Sequence, residues 1–318
     1  MDVVTIGETM LLFTPDSIGL MRHANTFSAK VAGAESNVAI GLSRLGHKAG
    51  WISRVGDDEF GEKIRSFIRG EGVDISLVKK DSTAPTGIFF KEFRNPSDVR
   101  VYYYRKHSAA SLMCKEDINE EYISKAKYLH ITGITPALSD SCHEMVLKAV
   151  HLAKKHGVTV VFDPNLRRKL WEEERARRVL LEFVRHADIV LPGISEAEFL
   201  FGSRDPVECS ELFLKQGASL VVMKLGNKGA YYVSEKVNGR VDGFKVPQVV
   251  DPVGAGDGFA AGFLSGMLDG LHVSQAVERG CAVGAMVVMV PGDVEGLPDQ
   301  AALQSFITAA KDGDDVQR

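Results

Sequence analysis

Short apolar runs, each long enough for one buried strand, alternate with stretches of helical periodicity along most of this chain. The predicted strands are residues 3–6, 49–55, 128–131, 158–162, 189–191 and 220–224. The predicted helices include residues 35–45, 139–156, 172–186 and 206–216. Strands that alternate with helices favour a mostly parallel sheet covered by helices on both faces. The sequence therefore predicts an α/β fold, a three-layer α/β/α sandwich around a central sheet.

Two stretches, residues 11–31 and 86–105, break this alternation. The first is loop-like with short extended pieces, and the second alternates in the manner of antiparallel strands. Because successive strand residues point to opposite faces, Tyr103 and Arg105 are expected to share one face. We predict a small β-rich lid formed by these two stretches, inserted in a single domain that spans residues 1–318. The tail, residues 312–318, is expected to fray.

Composition argues against disordered, fibrous and disulfide-scaffold classes of protein. With 38 basic and 42 acidic side chains among 318 residues, and 45% hydrophobic residues, the chain has ordinary globular composition. The richest basic stretch is residues 167–169, which is too short for the basic surface of a nucleic-acid-binding protein. We therefore expect no nucleic-acid partner.

The amino terminus carries no basic leader before its first apolar run, and the late apolar run at residues 281–290 is too short to span a bilayer. The four cysteines, at positions 114, 142, 209 and 281, lack the spacing of a metal site or a redox motif. We expect a cytoplasmic protein without a membrane partner and with reduced thiols.

Glycines cluster in the run from residue 251 to residue 262, just before an apolar helical stretch. Gly254, Ala255 and Gly256 allow backbone N–H groups to converge at a helix amino terminus, which is suited to binding an anion. Asp257 would be repelled by a bound phosphate unless it accepts a proton from a hydroxyl that attacks the phosphate. A simple helix cap explains Asp257 equally well, and the residues alone leave both interpretations open.

Three familiar nucleotide motifs are missing. The sequence contains no Gly-Lys dipeptide and so no Walker A loop. The glycine spacing at 254, 256 and 258 is not that of a dinucleotide fingerprint, and protein-kinase signatures are also missing.

Three segments together resemble the ribokinase-like carbohydrate kinases, the PfkB family. They are residues 33–39 (GAESNVA), residues 56–61 (GDDEFG) and residues 251–259. This resemblance covers nearly the whole chain. It implies a ribokinase-like fold and an ATP-dependent kinase of a sugar-like hydroxyl, with Asp257 as the base and residues 254–256 as the anion hole.

The resemblance also implies a nucleotide and metal site. Residues 224–229 resemble the nucleotide loop of the family, although a β-turn explains them equally well, and the implied nucleotide-binding residues are Asn165, Ser195, Lys224, Gly226 and Gly229. The family's Asn-x-x-Glu tetrad, which organises Mg²⁺ through water, is replaced by residues 193–196, so only Glu196 carries over. A solvated position in the first turn of a helix is the alternative for Glu196. ATP itself brings Mg²⁺, and a monovalent-cation requirement is left open.

The acceptor is indicated by one departure from the neutral-sugar kinases of this family. Relatives that phosphorylate ribose or fructose usually carry an Asp where this chain has Leu12. A substrate with a carboxylate would lose a repulsive neighbour there. Arg105, beside Tyr103, and Arg167 offer guanidinium groups, which are suited to planar carboxylates. A surface ion pair is the alternative for Arg105.

Glu8 and residues 101–106 and 131–135 are similar to those of the 2-keto-3-deoxygluconate kinases within the family. This implies phosphorylation of the terminal hydroxyl of a sugar acid. Fructose or another neutral acceptor is the alternative, and a protein that binds a sugar acid without turnover is a third. The implied substrate-binding residues are Gly33, Ala34, Asn37, Phe89 (often Tyr in these kinases), Tyr103, Arg105, Arg167 and Asp293, the last of which could equally form a turn. A homo-oligomer assembled through the lid is also expected.

Overall fold

The computed structural model describes residues 1–95 and 98–312, and this part of the chain forms two β-sheets. The large sheet has the strand order β13-β12-β11-β10-β9-β8-β1-β4-β5. Its strands are β1 (Val3–Ile6), β4 (Ala49–Gly56), β5 (Val78–Asp81), β8 (Tyr128–Thr132), β9 (Thr159–Asp163), β10 (Ile189–Val190), β11 (Leu220–Lys224), β12 (Ala230–Ser234) and β13 (Asn238–Val241). The strands from β11 to β5 pair in parallel, whereas β12 and β13 extend one edge antiparallel. The mostly parallel sheet is thus confirmed.

Helices cover both faces of the large sheet. They are α1 (Ala34–Arg44), α2 (Glu59–Gly70), α3 (Glu120–Ser124), α4 (Thr135–Leu138), α5 (Asp140–Lys155), α6 (Glu173–His186), α7 (Ile194–Phe201), α8 (Pro206–Gln216), α9 (Ala255–Leu268), α10 (Val273–Val287) and α11 (Gln300–Asp312). In the described part of the chain, no helix is long and apolar enough to cross a membrane. The predicted fraying of the tail concerns residues that, from 313 onward, lie outside the described part.

Neighbouring residues of the same strand belong to different hydrophobic cores. Val160 packs with α5, α6 and α8, whereas Val161 packs with α1, α9 and α10. This alternation follows from the two-residue period of a strand, and it makes the buried strands apolar on both faces. The two cores give the three layers that the sequence predicted.

The small sheet is formed by the two stretches predicted as a lid, in the strand order β3-β2-β6-β7. Its strands are β2 (Met10–Pro15), β3 (Phe27–Ala32), β6 (Ile88–Asn95) and β7 (Asp98–Tyr104). The antiparallel pairing of β6 with β7 is confirmed. Arg105 lies just beyond the end of β7 rather than within it, which corrects the predicted extent of this strand.

The carboxyl ends of the central parallel strands meet at one edge of the large sheet. Polar side chains stand there, because β8 ends at Thr132, β9 at Asp163 and β11 at Lys224. Helix α9 packs beside α1, and both begin near this edge. In open parallel sheets, ligands bind outside the carboxyl ends of the strands. The four cysteines are unpaired, as expected.

Candidate active site

A cavity of about 660 Å³ lies between this edge of the large sheet and the small sheet. We call it the main cavity. It collects most of the site residues predicted from the sequence: Gly33, Ala34, Phe89, Tyr103, Arg105, Asn165, Arg167, Ser195, Glu196, Lys224, Gly226, Gly254, Gly256, Asp257 and Asp293. Residues that lie up to about 260 positions apart in the sequence therefore line one space.

A second cavity, of about 320 Å³, adjoins the first, and we call it the apolar cavity. Gly229 and Ala255 line it, together with largely apolar residues that include Phe244, Val246 and Phe259. The two cavities share Lys224, Gly226, Pro252 and Gly256. An elongated ligand with one flat apolar end and one charged end fits across the two spaces.

Asp257 lies in the first turn of α9 and is only 9% exposed. The side-chain amide of Asn37, in α1, donates a hydrogen bond of 2.8 Å to Oδ2 of Asp257. Burial raises the pKa of Asp257 to about 7, although this hydrogen bond acts in the opposite direction. A carboxylate with such a pKa is suited to accept a proton near neutral pH. Asn37 itself does not line either cavity, so the structure places it behind Asp257.

Two glycines at the start of α9 have different roles. Gly254 has a φ of +79°, and a Cβ added there would lie 2.6 Å from the carbonyl oxygen of Asp293. The fold itself therefore requires glycine at 254. A Cβ at Gly256 would meet only the Nζ of Lys224, at the ordinary distance of 3.7 Å. The fold tolerates a side chain there, and the missing side chain instead leaves open space above the amino terminus of the helix.

Lys224 crosses the junction of the two cavities and donates a hydrogen bond of 2.6 Å to Oδ2 of Asp163. Burial alone would lower the pKa of Lys224, but the carboxylates of Asp163 and Glu196 outweigh it, and the pKa is raised. Lys224 therefore stays charged beside the start of α9.

Glu196 caps α7 with one carboxylate oxygen and holds the loop after β9 with the other. Oε2 accepts a hydrogen bond of 2.7 Å from the backbone N–H of Gly193, and Oε1 accepts one of 2.9 Å from that of Leu166. Burial, followed by the nearby carboxylate of Asp163, raises the pKa of Glu196. Glu196 is therefore a cap in the cavity wall rather than a solvated helix residue, and its metal role remains a prediction.

Arg105 forms an ion pair with a buried carboxylate, not with one on the surface. Its Nε and Nη2 lie 2.7 and 2.5 Å from Oε2 of Glu8. The guanidinium group also lies over the ring of Tyr103, 5.6 Å from its centroid, and this ring stacks on Phe89. Tyr103 and Arg105 are thus in contact, although Arg105 lies beyond the end of the strand whose alternation was the basis of that prediction.

Arg167 differs from Arg105 in its surroundings. It is exposed at the cavity rim and forms no ion pair among the described residues, although its charge acts on the carboxylate of Asp257. The turn that leads to it contains Asn165, whose φ of +36° is uncommon for a residue other than glycine. Strain of this kind often marks functional segments.

Asp293 lies in the loop after α10 and faces the main cavity. Burial raises the pKa of Asp293 to about 6. Asp293 is therefore a partly buried residue of the cavity wall, and its contact with the substrate remains a prediction.

The sequence is similar to known proteins over nearly its whole length. The model of the pfkB family carbohydrate kinases matches residues 1–300. The chain belongs to the pfkB family. It is 42% identical to the 2-dehydro-3-deoxygluconokinase of Bacillus subtilis (strain 168), over 98% of this chain and 97% of that protein. It is 38% identical to the 2-dehydro-3-deoxygluconokinase of Thermoproteus tenax, over 96% of this chain and 94% of that protein.

Solved structures agree with this membership. An E. coli protein described as a ribokinase II, in complex with ATP and Mg²⁺, superposes with a TM-score of 0.90 at 28% identity, over 96% of this chain and 99% of that one. The fructokinase of Vibrio cholerae O395, with fructose, ADP and calcium bound, gives a TM-score of 0.86 at 27% identity, over 96% of this chain and 99% of that one. The ribokinase-like fold predicted from the sequence is confirmed.

Sequence analysis missed several polar residues of this pfkB kinase. Asp163 ends a buried strand, which is a usable signal, and Lys91 lies two residues after Phe89 on the same face of β6. Glu35 gave no signal beyond its motif. Its Oε1 accepts hydrogen bonds from Thr132 and Thr135, and burial raises its pKa.

The acidic side chains of this pfkB kinase do not by themselves form a metal centre. Among residues 1–95 and 98–312, no group of three or more His, Cys, Asp or Glu side chains could hold a metal ion. Mg²⁺ keeps several waters and commonly binds through one or two carboxylates together with substrate phosphates. Asp163 and Glu196 in the cavity wall fit an ion that arrives with its nucleotide.

Proposed function

We propose that this pfkB kinase transfers the γ-phosphoryl group of ATP to the terminal hydroxyl of 2-keto-3-deoxygluconate, also called 2-dehydro-3-deoxygluconate. One observation carries the proposal: Arg105 and Arg167 line the same cavity as the buried carboxylate of Asp257. Guanidinium groups are suited to hold the carboxylate of a sugar acid. The names of the two relatives that cover nearly the whole chain support the same acceptor.

Asp257 accepts the proton of the attacking hydroxyl in this mechanism, with Asn37 fixing the orientation of its carboxylate. The backbone N–H groups of residues 254–256, together with Lys224, stabilise the charge that develops on the transferred group. Mg²⁺, when bound with ATP, neutralises phosphate charge. The apolar cavity receives the base of the nucleotide, and the small sheet acts as a lid that excludes water.

A neutral sugar such as fructose is the second candidate acceptor, favoured by the structural likeness to a fructokinase with bound fructose. Leu12 opposes it, because this buried apolar side chain faces the main cavity and offers no acceptor for sugar hydroxyls. A protein that binds a sugar acid without turnover is a third candidate. Asp257 and the open space at Gly256 oppose it, since binding alone needs neither.

A panel of acceptors tests the proposal. Ketodeoxygluconate, its galactonate epimer, fructose and ribose are offered with ATP and Mg²⁺, and kcat/KM is measured from ADP release. We expect ketodeoxygluconate to exceed fructose by at least roughly 100-fold, the equivalent of about 2.7 kcal/mol. A higher kcat/KM for fructose would reject the acid acceptor, and no ADP release with any acceptor would favour the binding protein. Repeating the assay in Na⁺ and K⁺ salts measures the monovalent-cation requirement.

We further propose a cytoplasmic homo-oligomer that assembles through the small sheet. The face of this sheet that carries Phe13 and Phe90 also presents Phe27, Tyr102 and Tyr104, of which Tyr104 is 62% exposed. A contiguous aromatic face of this kind often marks an interface. Light scattering on the protein and on Tyr104→Asp checks it. A monomeric mass for the unmodified protein would reject the oligomer.

A further inference from the structure

An acidic side chain lies in the part of the main cavity that we assign to the carboxylate of the substrate. Glu8 follows β1 by two residues, lines the cavity, and has a fully buried side chain. A free carboxylate there would repel the carboxylate of the substrate. The contacts of Glu8 show why it does not.

Each oxygen of Glu8 is held by a different partner. Oε2 accepts from Arg105, and Oε1 accepts a hydrogen bond of 2.6 Å from the hydroxyl of Ser108. Gly87 leaves the space for this carboxylate, since a Cβ at Gly87 would lie 2.7 Å from Oε1. Glu8 is therefore fixed in one orientation from both sides.

Arg105 uses only one edge of its guanidinium group for Glu8. Nε and Nη2 both point to the same oxygen, Oε2, so the N–H groups of Nη1 have no acceptor among the described residues. The side chain is 9% exposed and lies against the ring of Tyr103. The guanidinium is thus clamped on one edge, and the opposite edge is left to bind a ligand.

The two arginines of the cavity then differ in charge. Arg105 with Glu8 forms a buried ion pair of zero net charge, whereas Arg167 is exposed and has no carboxylate within ion-pairing distance among the described residues. The charge of Arg167 also acts on the carboxylate of Asp257. We propose that Glu8 is a positioning residue, which orients Arg105 toward the substrate carboxylate and cancels its charge, so that Arg167 supplies the net attraction. This inference rests on the proposed sugar-acid acceptor. It assigns the orientation of the substrate carboxylate to Arg105 and the net electrostatic attraction to Arg167.

A double-mutant cycle tests it, with Glu8→Gln, Arg105→Leu and the two combined, assayed with ketodeoxygluconate. We expect Glu8→Gln to raise KM about tenfold or more while kcat stays within about threefold. In the Arg105→Leu background the same change should leave KM unchanged or lower it, because nothing is left to orient and the uncompensated carboxylate of Glu8 would otherwise repel the substrate. Effects of equal size in both backgrounds would overturn the proposal.

Glu71→Gln is the matched control, because Glu71 forms a similar ion pair with Arg44, at 2.8 and 2.9 Å, away from both cavities. It should leave KM unchanged. If Glu8→Gln does not fold, Glu8→Leu combined with Arg105→Leu removes both buried charges, and its KM should not exceed that of Arg105→Leu alone. A KM at least fivefold higher than that of Arg105→Leu would contradict the proposal.

Failure of the proposed function gives a different result. If the unmodified protein prefers a neutral sugar, the acid acceptor is rejected directly. The double-mutant cycle can then be measured on the ratio of kcat/KM for ketodeoxygluconate to kcat/KM for that sugar. If Glu8→Gln and Arg105→Leu change this ratio additively, the positioning role is rejected.

Discussion

The two cavities of this pfkB kinase differ in the residues that line them. The main cavity is walled by charged side chains that pair with one another, such as Arg105 with Glu8 and Lys224 with Asp163. The apolar cavity is lined mainly by glycines and apolar side chains, and Gly226, Gly229 and Gly256 all border it, the first and last of them at the junction with the main cavity. The main cavity is defined by its charged side chains, whereas the apolar cavity is defined by the absence of side chains at its glycines.

We therefore expect the main cavity to determine which acceptor is used, and the apolar cavity to affect the reaction with every acceptor. Charged groups held at fixed distances discriminate between acceptors, because a misplaced ligand leaves them unpaired. A space without side chains leaves room for the nucleotide, which every acceptor requires equally. Changes in the apolar cavity should therefore reduce activity for all acceptors, whereas changes in the acceptor region should alter their ranking.

The largest effect is expected from Gly256→Val. The added Cβ is tolerated by the fold, but the branched side chain fills the space above the start of α9. Activity should vanish with every acceptor, while the melting temperature stays close to that of the unmodified protein. Gly70→Val, at an exposed glycine with open space around it, is the control and should remain active. Near-normal turnover in Gly256→Val would show that this space does not receive the nucleotide.

Asp257→Asn tests the carboxylate of the main cavity that we propose as the base. The substitution keeps the shape and the hydrogen bond from Asn37 but removes the proton acceptor. We expect kcat to fall by roughly 10²–10⁴ with ATP affinity nearly unchanged. Calorimetric titration with ATP measures the affinity. Retention of more than about a tenth of kcat would reject Asp257 as the base.

Arg105→Leu and Arg167→Leu should separate the buried arginine from the exposed one. Loss of Arg105 should raise KM for ketodeoxygluconate by roughly 30-fold or more, which corresponds to about 2 kcal/mol, because the pair is buried. Arg167→Leu should raise KM for ketodeoxygluconate about tenfold. This increase should be smaller at high salt, which screens exposed charges. Fructose should respond weakly to both. Equal losses for the two acceptors would make the arginines part of the scaffold.

The smallest effect concerns pH. Because the carboxylate of Asp257 must be deprotonated to act, kcat/KM should rise with pH and level off above about 7. Its raised pKa also means that the folded protein binds a proton more tightly than the unfolded chain does. This contribution to stability is present at low pH and is lost as pH rises through about 7. Asp257→Asn should therefore melt at a higher temperature than the unmodified protein at pH 8, with a smaller difference at pH 5. An identical difference at both values would contradict the pKa.

Local patterns were sufficient for the large sheet. A buried strand such as Val160 to Phe162 is a continuous apolar run because both of its faces are covered, and that run is visible without any knowledge of its neighbours. The start of α9 was also visible, since the glycines that the fold and the cavity need stand next to each other in sequence.

Pairs that form across the fold were not predictable in this way. Glu8 and Arg105 are 97 positions apart, and Asp163 and Lys224 are 61 apart. No local period connects such residues, so Arg105 could be given a role but not its partner. The end of β7 at Tyr104 was missed for a related reason, because Arg105 leaves the strand where its guanidinium turns to Glu8.

The hydrogen bond from Asn37 to Asp257 joins residues 220 positions apart and has a consequence for biosynthesis. At roughly 5–20 residues per second, a ribosome needs on the order of 10–40 s to make the chain between them. Throughout that interval the emerging polypeptide contains Asn37 but no Asp257. A chain that stops before α9 therefore lacks the proposed base, and we expect activity to begin only when α9 has docked against α1.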